Sequence, residues 1–524
     1  MKVLFKLILV LVLSTRTIYS QLDPSIEWFR IYDGIGHSID LTNDAAMDKD
    51  NNICLAGRSS GSDGSQDLLI LKYSETGELL TEIRYISAPS SWEEAYSISI
   101  DSLNNLYCAG VASFGTSSPF AIFHKYSPDG SLVWEKNYYN TSYIYSEGLK
   151  ITVDKENNFI TGYHLNGACF TKYSSSGDSI WSVIFENDTS DFVINDVIID
   201  LNNNVYISTT ELYYLYESII HLNKYNKNGD LVWHRTFEGT NTKKLITDKE
   251  NNIIQLINSY SSGIIYKIDP DGHIVWEADS DILILSDIGI DNDNNIIVTG
   301  YDIGFNTFDY FTKKFSVNGS EIWQRTYDSP EHLKDYAMAL VIDDLNNIYV
   351  TGASHNSVSE GKSYTLKYSD SGELKWHQKF DAPHGIFENG KFIFLDDSNS
   401  IYVGGDAADS TNGWDFFALK IIEKSGTSVE HSEDLINIEY LLKQNYPNPF
   451  NPSSNIEFYI PQQDHVKIEV YDQLGRKVKE LVNQELNAGN HSVLFKAEEL
   501  SSGIYYYSLS TNNVRKIKKA VLLK

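Results

Sequence analysis

Between residues 26 and 422 the chain repeats itself at intervals of roughly 43–53 residues, a period that restricts it to arrays of small stacked or radially arranged units. The clearest marker is Asp-x-x-Asn/Ser-Asn/Ser ahead of an apolar run. It opens at Asp48, Asp101, Asp154, Asp200, Asp248, Asp291, Asp343 and Asp396. A second marker is a lysine closing a later apolar run, at Lys72, Lys125, Lys172, Lys224, Lys267, Lys314, Lys367 and Lys420. Glycine follows five residues after each of the first seven, and Trp usually four residues later.

One unit reads as four short strands. In the second repeat they are 95–100, 106–109, 120–126 and 132–138, joined by the turns Asp101–Asn105 and Ser127–Gly130. Asp and Asn bond their own local backbone and tolerate left-handed conformations, and Gly does so without steric cost, so both segments suit tight turns. Four antiparallel strands per repeat is the pattern of a β-propeller. The eighth unit lacks the Gly-x-x-x-Trp strand, whereas the chain begins with an orphan copy, Ile26–Tyr32. The expected fold is therefore all-β: an eight-bladed propeller over 21–422, closed by that N-terminal strand. Trp28, Trp134, Trp181, Trp233, Trp276, Trp323 and Trp376 fall at equivalent outer-strand positions, with Thr81 in the first unit. They are expected to form a belt between blades, each covering about 150–250 Å².

Composition agrees with strands, with 35 Tyr and 23 Phe. The net charge of −29 argues against nucleic acid or an anionic membrane as partner. Residues 441–524 hold 11 Lys/Arg against 8 Asp/Glu, so the acidity lies in the repeat region, and a domain boundary is expected near residue 440. At the N-terminus, Lys2 and Lys6 accompany an apolar run to Leu13 and a polar stretch to Ser20, the pattern of a secretory signal peptide over 1–20. No other run is long enough to span a membrane. Cys54, Cys108 and Cys169 have neither the even count of a disulfide framework nor zinc-ligand spacing, and read as small buried hydrophobes.

Residues 423–440 are polar and break the repeat, as a linker does. After them come Tyr446-Pro447-Asn448-Pro449-Phe450-Asn451-Pro452, alternating strands such as Val466–Tyr471, then Gly475, Gly489, Gly503 to Tyr505, and a basic end at Lys518 and Lys524. The alternation predicts a small β-sandwich. This segment, 441–524, resembles the type A C-terminal sorting domain of bacterial type IX secretion cargo. The resemblance implies recognition by the secretion machinery and its surface sortase, passage across the outer membrane, and a mature protein that is extracellular or anchored at the cell surface. The repeats over 26–422 resemble a bacterial β-propeller repeat family often found in secreted proteins.

Chemistry is sparsely marked. There is no His-Glu-x-x-His or phosphate-binding Gly loop. The Asp-x-Asp-Asn-Asn runs at Asp48 and Asp291 start like calcium loops but lack the glycine and distal Glu. They read as turns; no cofactor is predicted, and calcium stays open. The irregular loops all fall on one face of the expected disc, where binding sites usually lie. There stand Trp92 and Glu94, Tyr143 and Glu147, Tyr214 and Tyr216, Phe305 to Asp309, Asp335, His355, and Trp414. Glu94, Glu147 and Asp335 are placed near the channel mouth, where carboxylates could hold a cation or form an acid/base pair. Aromatic faces beside carboxylates suit sugar rings and also protein surfaces, so the expected function is a secreted or surface-displayed binding and adhesion module for glycan or protein. The alternative is an extracellular enzyme: a quinoprotein-like dehydrogenase, whose eight-bladed family also places Trp four residues after Gly, or a polysaccharide-degrading enzyme.

Overall fold

The computed structural model describes residues 22–523 except 89–90, 114–118, 140–148, 165–166, 187–190, 213–217, 260–261, 283, 302–307, 330–332, 356–359, 383–384, 410–412, 426–440, 443–444, 446–447, 449, 461–462, 474–475, 487–488 and 512–514. All regular structure among them is β, and no helix is long and apolar enough to cross a membrane. The chain divides into two compact units between Gly426 and Thr427.

The larger unit repeats one four-stranded antiparallel meander. In the second repeat the strands are Trp92–Ile100, Leu106–Ser113, Phe120–Tyr126 and Leu132–Tyr139. Strands two and three are buried on both faces, while the fourth presents its first residues to solvent, so the middle of each sheet lies between neighbours. Apolar clusters accordingly run from one sheet to the next: Tyr107 and Phe123 of the second unit pack with Phe159 and Tyr173 of the third. The three cysteines are buried in such strands without bridges.

The marker residues explain the turns. Asp48 Oδ1 accepts the Asp50 and Asn52 amides at 2.9 Å each. Asn51 takes the left-handed conformation at φ 60°, as does the fourth residue of the other seven turns, from Asn104 to Asn399. The other carboxylate oxygen meets the marker lysine: Lys72–Asp48 and Lys314–Asp291 are each 2.7 Å apart, and Lys172–Asp154 2.9 Å. A carboxylate so engaged leaves little to offer a metal, which is the physical content of the turn reading.

The tryptophans join neighbouring units. Trp233 Nε1 donates to Pro270 O at 3.0 Å, and Trp276 Nε1 to Val317 O at 2.9 Å. Trp181, Trp233, Trp276 and Trp323 each lie on the turn glycine of the next unit; at Gly319, with φ 84°, an added Cβ would come within 2.8 Å of Trp276. Trp28, at the start of the chain, makes the same contacts to the first unit, donating to Glu75 O at 2.8 Å and covering Gly77.

Its strand, Leu22–Tyr32, pairs antiparallel with Trp414–Ser425, the third strand of the eighth unit, with a bulge at Glu27. That third strand runs three residues beyond the expected end of the repeats at 422. Glu423 is what extends it: with no further Gly turn available, its carboxylate accepts Trp376 Nε1 at 2.8 Å and Lys367 Nζ at 2.6 Å. The rest of the expected linker, 426–440, lies outside the described residues.

The smaller unit has two sheets. One joins Leu441–Leu442, Ser453–Ile460 and Gly489–Lys496; the other orders Lys477–Leu486, Asp464–Tyr471, Gly503–Ser510 and Arg515–Leu522. Phe450, Ile456, Phe458, Val466, Ile468, Val470, Phe495, Tyr507 and Leu522 make its core.

Candidate functional site

Where one unit hands over to the next, a carboxylate begins the incoming first strand and accepts an amide six residues upstream. Asp40 takes Gly34 N, Glu93 takes Ser87 N at 3.1 Å, Asp335 takes Ser329 N at 2.7 Å, and Glu388 takes Ala382 N at 3.2 Å. All four carboxylates are buried. A buried carboxylate demands a positive partner, and the junctions differ in what supplies it. Glu388 meets Lys362 Nζ at 3.2 Å, and Lys362 also binds Asp381 at 2.8 Å. Near Glu93, Arg84 Nη1 holds Asp67 at 2.7 Å. Asp67 itself occupies the position equivalent to Lys362, five residues before the marker lysine, and at the other two junctions that position is also Asp: Asp309 and Asp415.

Those two junctions therefore gather three carboxylates. Asp309, Asp328 and Asp335 form one triad, Asp33, Asp40 and Asp415 the other, each with ligand-capable oxygens within 4.8 Å of one another. Burial pushes the Asp335 carboxyl up to about 6, against the Ser329 amide that favours its charge. Burial, then Asp33 and Asp40, push Asp415 up to about 7.

Glu388 gives a pH prediction of its own. Burial raises its carboxyl to about 7, with Lys362 opposing only in part. A folded pKa above the unfolded value of roughly 4.3 means the native state holds its proton longer, so stability falls as pH rises from about 4 to about 7. Glu388→Gln is expected to remove a component of about 1–3 kcal/mol from that fall. Urea melts of both proteins at pH 5 and pH 7.5 measure it.

Between the triads runs an arc of half-buried rings from three successive units. Tyr301 and Phe308 are 6.1 Å apart at their centroids, Tyr301 and Tyr336 5.0 Å, Tyr336 and His355 5.5 Å, His355 and Phe387 5.1 Å, and Phe387 and Trp414 5.2 Å. Lys334 Nζ lies 4.9 Å over Phe308. Asp309 follows Phe308, Tyr336 follows Asp335, and Asp415 follows Trp414, so each end of the arc adjoins a triad. Strand-initial geometry makes this possible: backbone bonds from Asp335 N to Phe308 O and from Asp40 N to Trp414 O pin the incoming strands beside the third strands.

A separate charged set lies along the first strands. Lys244 Nζ meets Asp287 Oδ1 at 2.5 Å. Burial alone would depress its pKa, but Asp287, Asp196 and even Asp44 of the first unit raise it.

The residues singled out from sequence divide. Asp335 and Trp414 stand at opposite ends of the arc. Trp92 instead packs on the apolar cluster of Tyr107 and Phe123. Glu94 is spent on structure: it binds Arg58 at 3.1 Å, Asn43 Nδ2 at 2.8 Å and Tyr96 OH at 2.7 Å. Tyr143, Glu147, Tyr214 and Tyr216 lie outside the described residues. Tyr301, Tyr336, Phe387, Asp328, Asp33 and Asp40 escaped notice. The signal available was positional, since Asp33 and Asp328 follow the marker Trp by five residues and Asp40 and Asp335 precede the turn Asp by eight.

In the smaller unit, the described part of Tyr446–Pro452 lies along the last strand. Asn448 Oδ1 accepts Val521 N at 2.7 Å, while Phe450 N donates to Val521 O at 2.9 Å and Phe450 O accepts Leu523 N at 3.0 Å. Phe450 is buried against Phe495, 5.2 Å away. Gly489 pairs with Ile460, Gly503 opens its strand opposite Leu522, and Tyr505 OH donates to Ser501 O at 2.8 Å. Lys518 is exposed. Tyr446, Pro447, Pro449, Gly475 and Lys524 are outside the described residues, whereas Asn451 and Pro452 precede the strand Ser453–Ile460.

Residues 444–523 match the model of the secretion system C-terminal sorting domain. No curated protein matches the chain. Among solved structures, Sqt1 from Chaetomium thermophilum is 9% identical with a TM-score of 0.49, covering 77% of this chain and 100% of its own. PorZ, a surface component of the type IX secretion system of Porphyromonas gingivalis, is 11% identical with a TM-score of 0.33, covering 93% and 76%. The polysaccharide lyase Uly1 is 10% identical with a TM-score of 0.40, covering 73% and 90%. The sorting domain directs the chain through the secretion machinery, across the outer membrane to the cell surface or extracellular space.

Proposed function

We propose that this chain, exported through its C-terminal sorting domain, is a non-enzymatic surface or secreted β-propeller that binds carbohydrate chains at the arc Tyr301–Trp414. Eight units close into one ring in this reading. Its support is the pairing of Leu22–Tyr32 with Trp414–Ser425 and the apolar cluster that mixes Trp28, Tyr402 and Phe416 with Ile53, Leu69 and Tyr73. Thr42 also donates to Asp406 and Gly405 at 2.8 and 3.0 Å, joining the first unit to the eighth.

The observation that carries the binding reading is the arc itself. Six aromatic or imidazole rings in succession keep part of their surface open on a rigid sheet scaffold, with carboxylates at either end for hydroxyl groups. Sugars offer apolar ring faces and peripheral hydroxyls, which this arrangement matches. Rigid aromatic residues supply contact area at little entropic cost. On a glycan array, Trp414→Ala and Tyr336→Ala are expected to weaken binding by about 2 kcal/mol each, roughly 30-fold. A blank array for the unaltered protein, or full binding by both variants, removes the carbohydrate reading.

A further inference from the structure

We propose that His221 and His234 bind one divalent transition-metal ion, copper(II) best, with Glu211 orienting the inner imidazole. The first ground is asymmetry. Three residues before the marker lysine, the other seven units carry hydrophobic or aromatic side chains, from Leu69 to Phe417, whereas the fourth carries His221. A feature shared by every unit belongs to the scaffold; this one occurs once. It stands on the strand Ser218–Tyr225, between Glu211 near the end of Val205–Leu212 and His234 on Leu231–Glu238.

The second ground is how the three side chains are joined. Glu211 is buried, and its Oε2 lies 3.0 Å from His221 Nε2. A carboxylate only accepts, so Nε2 holds the proton and the lone pair of the inner ring is fixed on Nδ1. That lone pair faces His234 Nε2 at 3.0 Å, the two rings lying 12° from parallel. A carboxylate behind an imidazole whose other nitrogen is presented outward is how metal-ligating histidines are held. Burial, then the neighbouring His221 and Arg235, hold the His234 imidazole below its usual range, which leaves it neutral and able to ligate near pH 7.

Polar atoms left over around the pair are the third ground. Thr209 stands directly across from His221 and Asn223 across from His234, so all four share one face of the sheet. Thr209 and Asn223 are both buried, and Thr209 Oγ1 and Asn223 Nδ2 have no hydrogen-bond partner among the described residues. Leaving such atoms unmatched is costly. Waters completing the coordination of a metal would engage them.

The donors also choose the metal. Imidazole nitrogens suit copper, nickel and zinc rather than calcium or magnesium. Two metal–nitrogen bonds of roughly 2.0–2.1 Å at a right angle hold their nitrogens about 2.9 Å apart, against about 3.4 Å at a tetrahedral angle, and the observed separation is 3.0 Å. Adjacent positions of a tetragonal copper(II) centre therefore fit better than a zinc tetrahedron. The ion takes the place of the proton between the rings: the exposed His234 ring turns to aim its Nε2 lone pair, and its proton passes through solvent to Nδ1. The site lies in the fourth unit and stands independently of what the aromatic arc binds.

The test uses the full chain, freed of metal by chelation, titrated with copper(II) chloride in a buffer without imidazole and followed by electron paramagnetic resonance. The unaltered protein is expected to bind one equivalent ahead of any other, with the nitrogen couplings of two imidazoles. His234→Asn, at an exposed position, is expected to weaken that equivalent at least tenfold and to leave the coupling of a single imidazole. Glu211→Gln is expected to weaken it by about 10–100-fold while both couplings persist, as befits a positioning residue. No saturable first equivalent in the parent overturns the proposal, as does a His234→Asn variant that keeps the parental affinity and both couplings.

Discussion

Removing residues 22–34 from the otherwise intact chain is expected to lower its melting temperature by more than 10 °C and to drive it toward aggregation. The segment performs two jobs at once. It supplies the outer strand of the eighth unit, paired from Leu22↔Ser425 to Tyr32↔Phe416. It also carries Trp28, whose indole packs among Ile53, Leu69 and Tyr73 of the first unit. Truncating a buried Trp to Ala alone costs about 3–5 kcal/mol, a large share of a net stability of about 5–15 kcal/mol. At roughly 2–4 °C per kcal/mol for a sizeable domain, 5 kcal/mol corresponds to about 10–20 °C. Deletion further exposes the edge of Trp414–Ser425, an open template for pairing with another chain. Calorimetry on the deletion and on Trp28→Ala beside Trp233→Ala would decide it. If the ring closes as proposed, the two point variants lose comparable stability, because their tryptophans do equivalent work. A deletion that melts with the parent would refute closure.

The second large effect concerns location rather than stability. A chain ending at residue 440 is expected to accumulate in the periplasm, with surface display reduced to background, in a strain that carries type IX secretion. The sorting domain has a core of its own, from Phe450 to Leu522, and the repeat unit has its own clusters. The truncated chain should therefore keep the melting behaviour of its repeat region while losing its destination, which separates a failure of export from a failure of folding. Protease accessibility on whole cells, read against fractionated periplasm, measures it. Display at the parental level would contradict the assignment of residues 444–523.

Much of the fold could be read from the chain because its turns are chemically explicit. Eight Asn residues at left-handed φ and eight Asp residues capping the same turns are local requirements, visible wherever they recur. The outer-strand tryptophans were legible for the same reason. The site was not, because it is assembled across units: Asp33 and Asp40 meet Asp415 from the far end of the repeat region, and Tyr336 reaches Trp414 only through His355 and Phe387. Trp92 and Glu94 show the converse. Their residue types suit a binding loop, but Glu94 already has Arg58, Asn43 and Tyr96, and a single sequence does not reveal such prior commitments.

The pairing of Leu22–Tyr32 with Trp414–Ser425 has a consequence in time. The first strand to be synthesised must wait for nearly four hundred residues before its partner exists, while every intermediate sheet can form from its own consecutive strands. Until then both future partners are unsatisfied edges, and the growing array is at its most vulnerable to misassembly. Completion comes only shortly before the sorting domain itself is made. A chain cut short anywhere upstream would lack both its last bond and its address, so that integrity and dispatch are certified by the same final stretch of polypeptide.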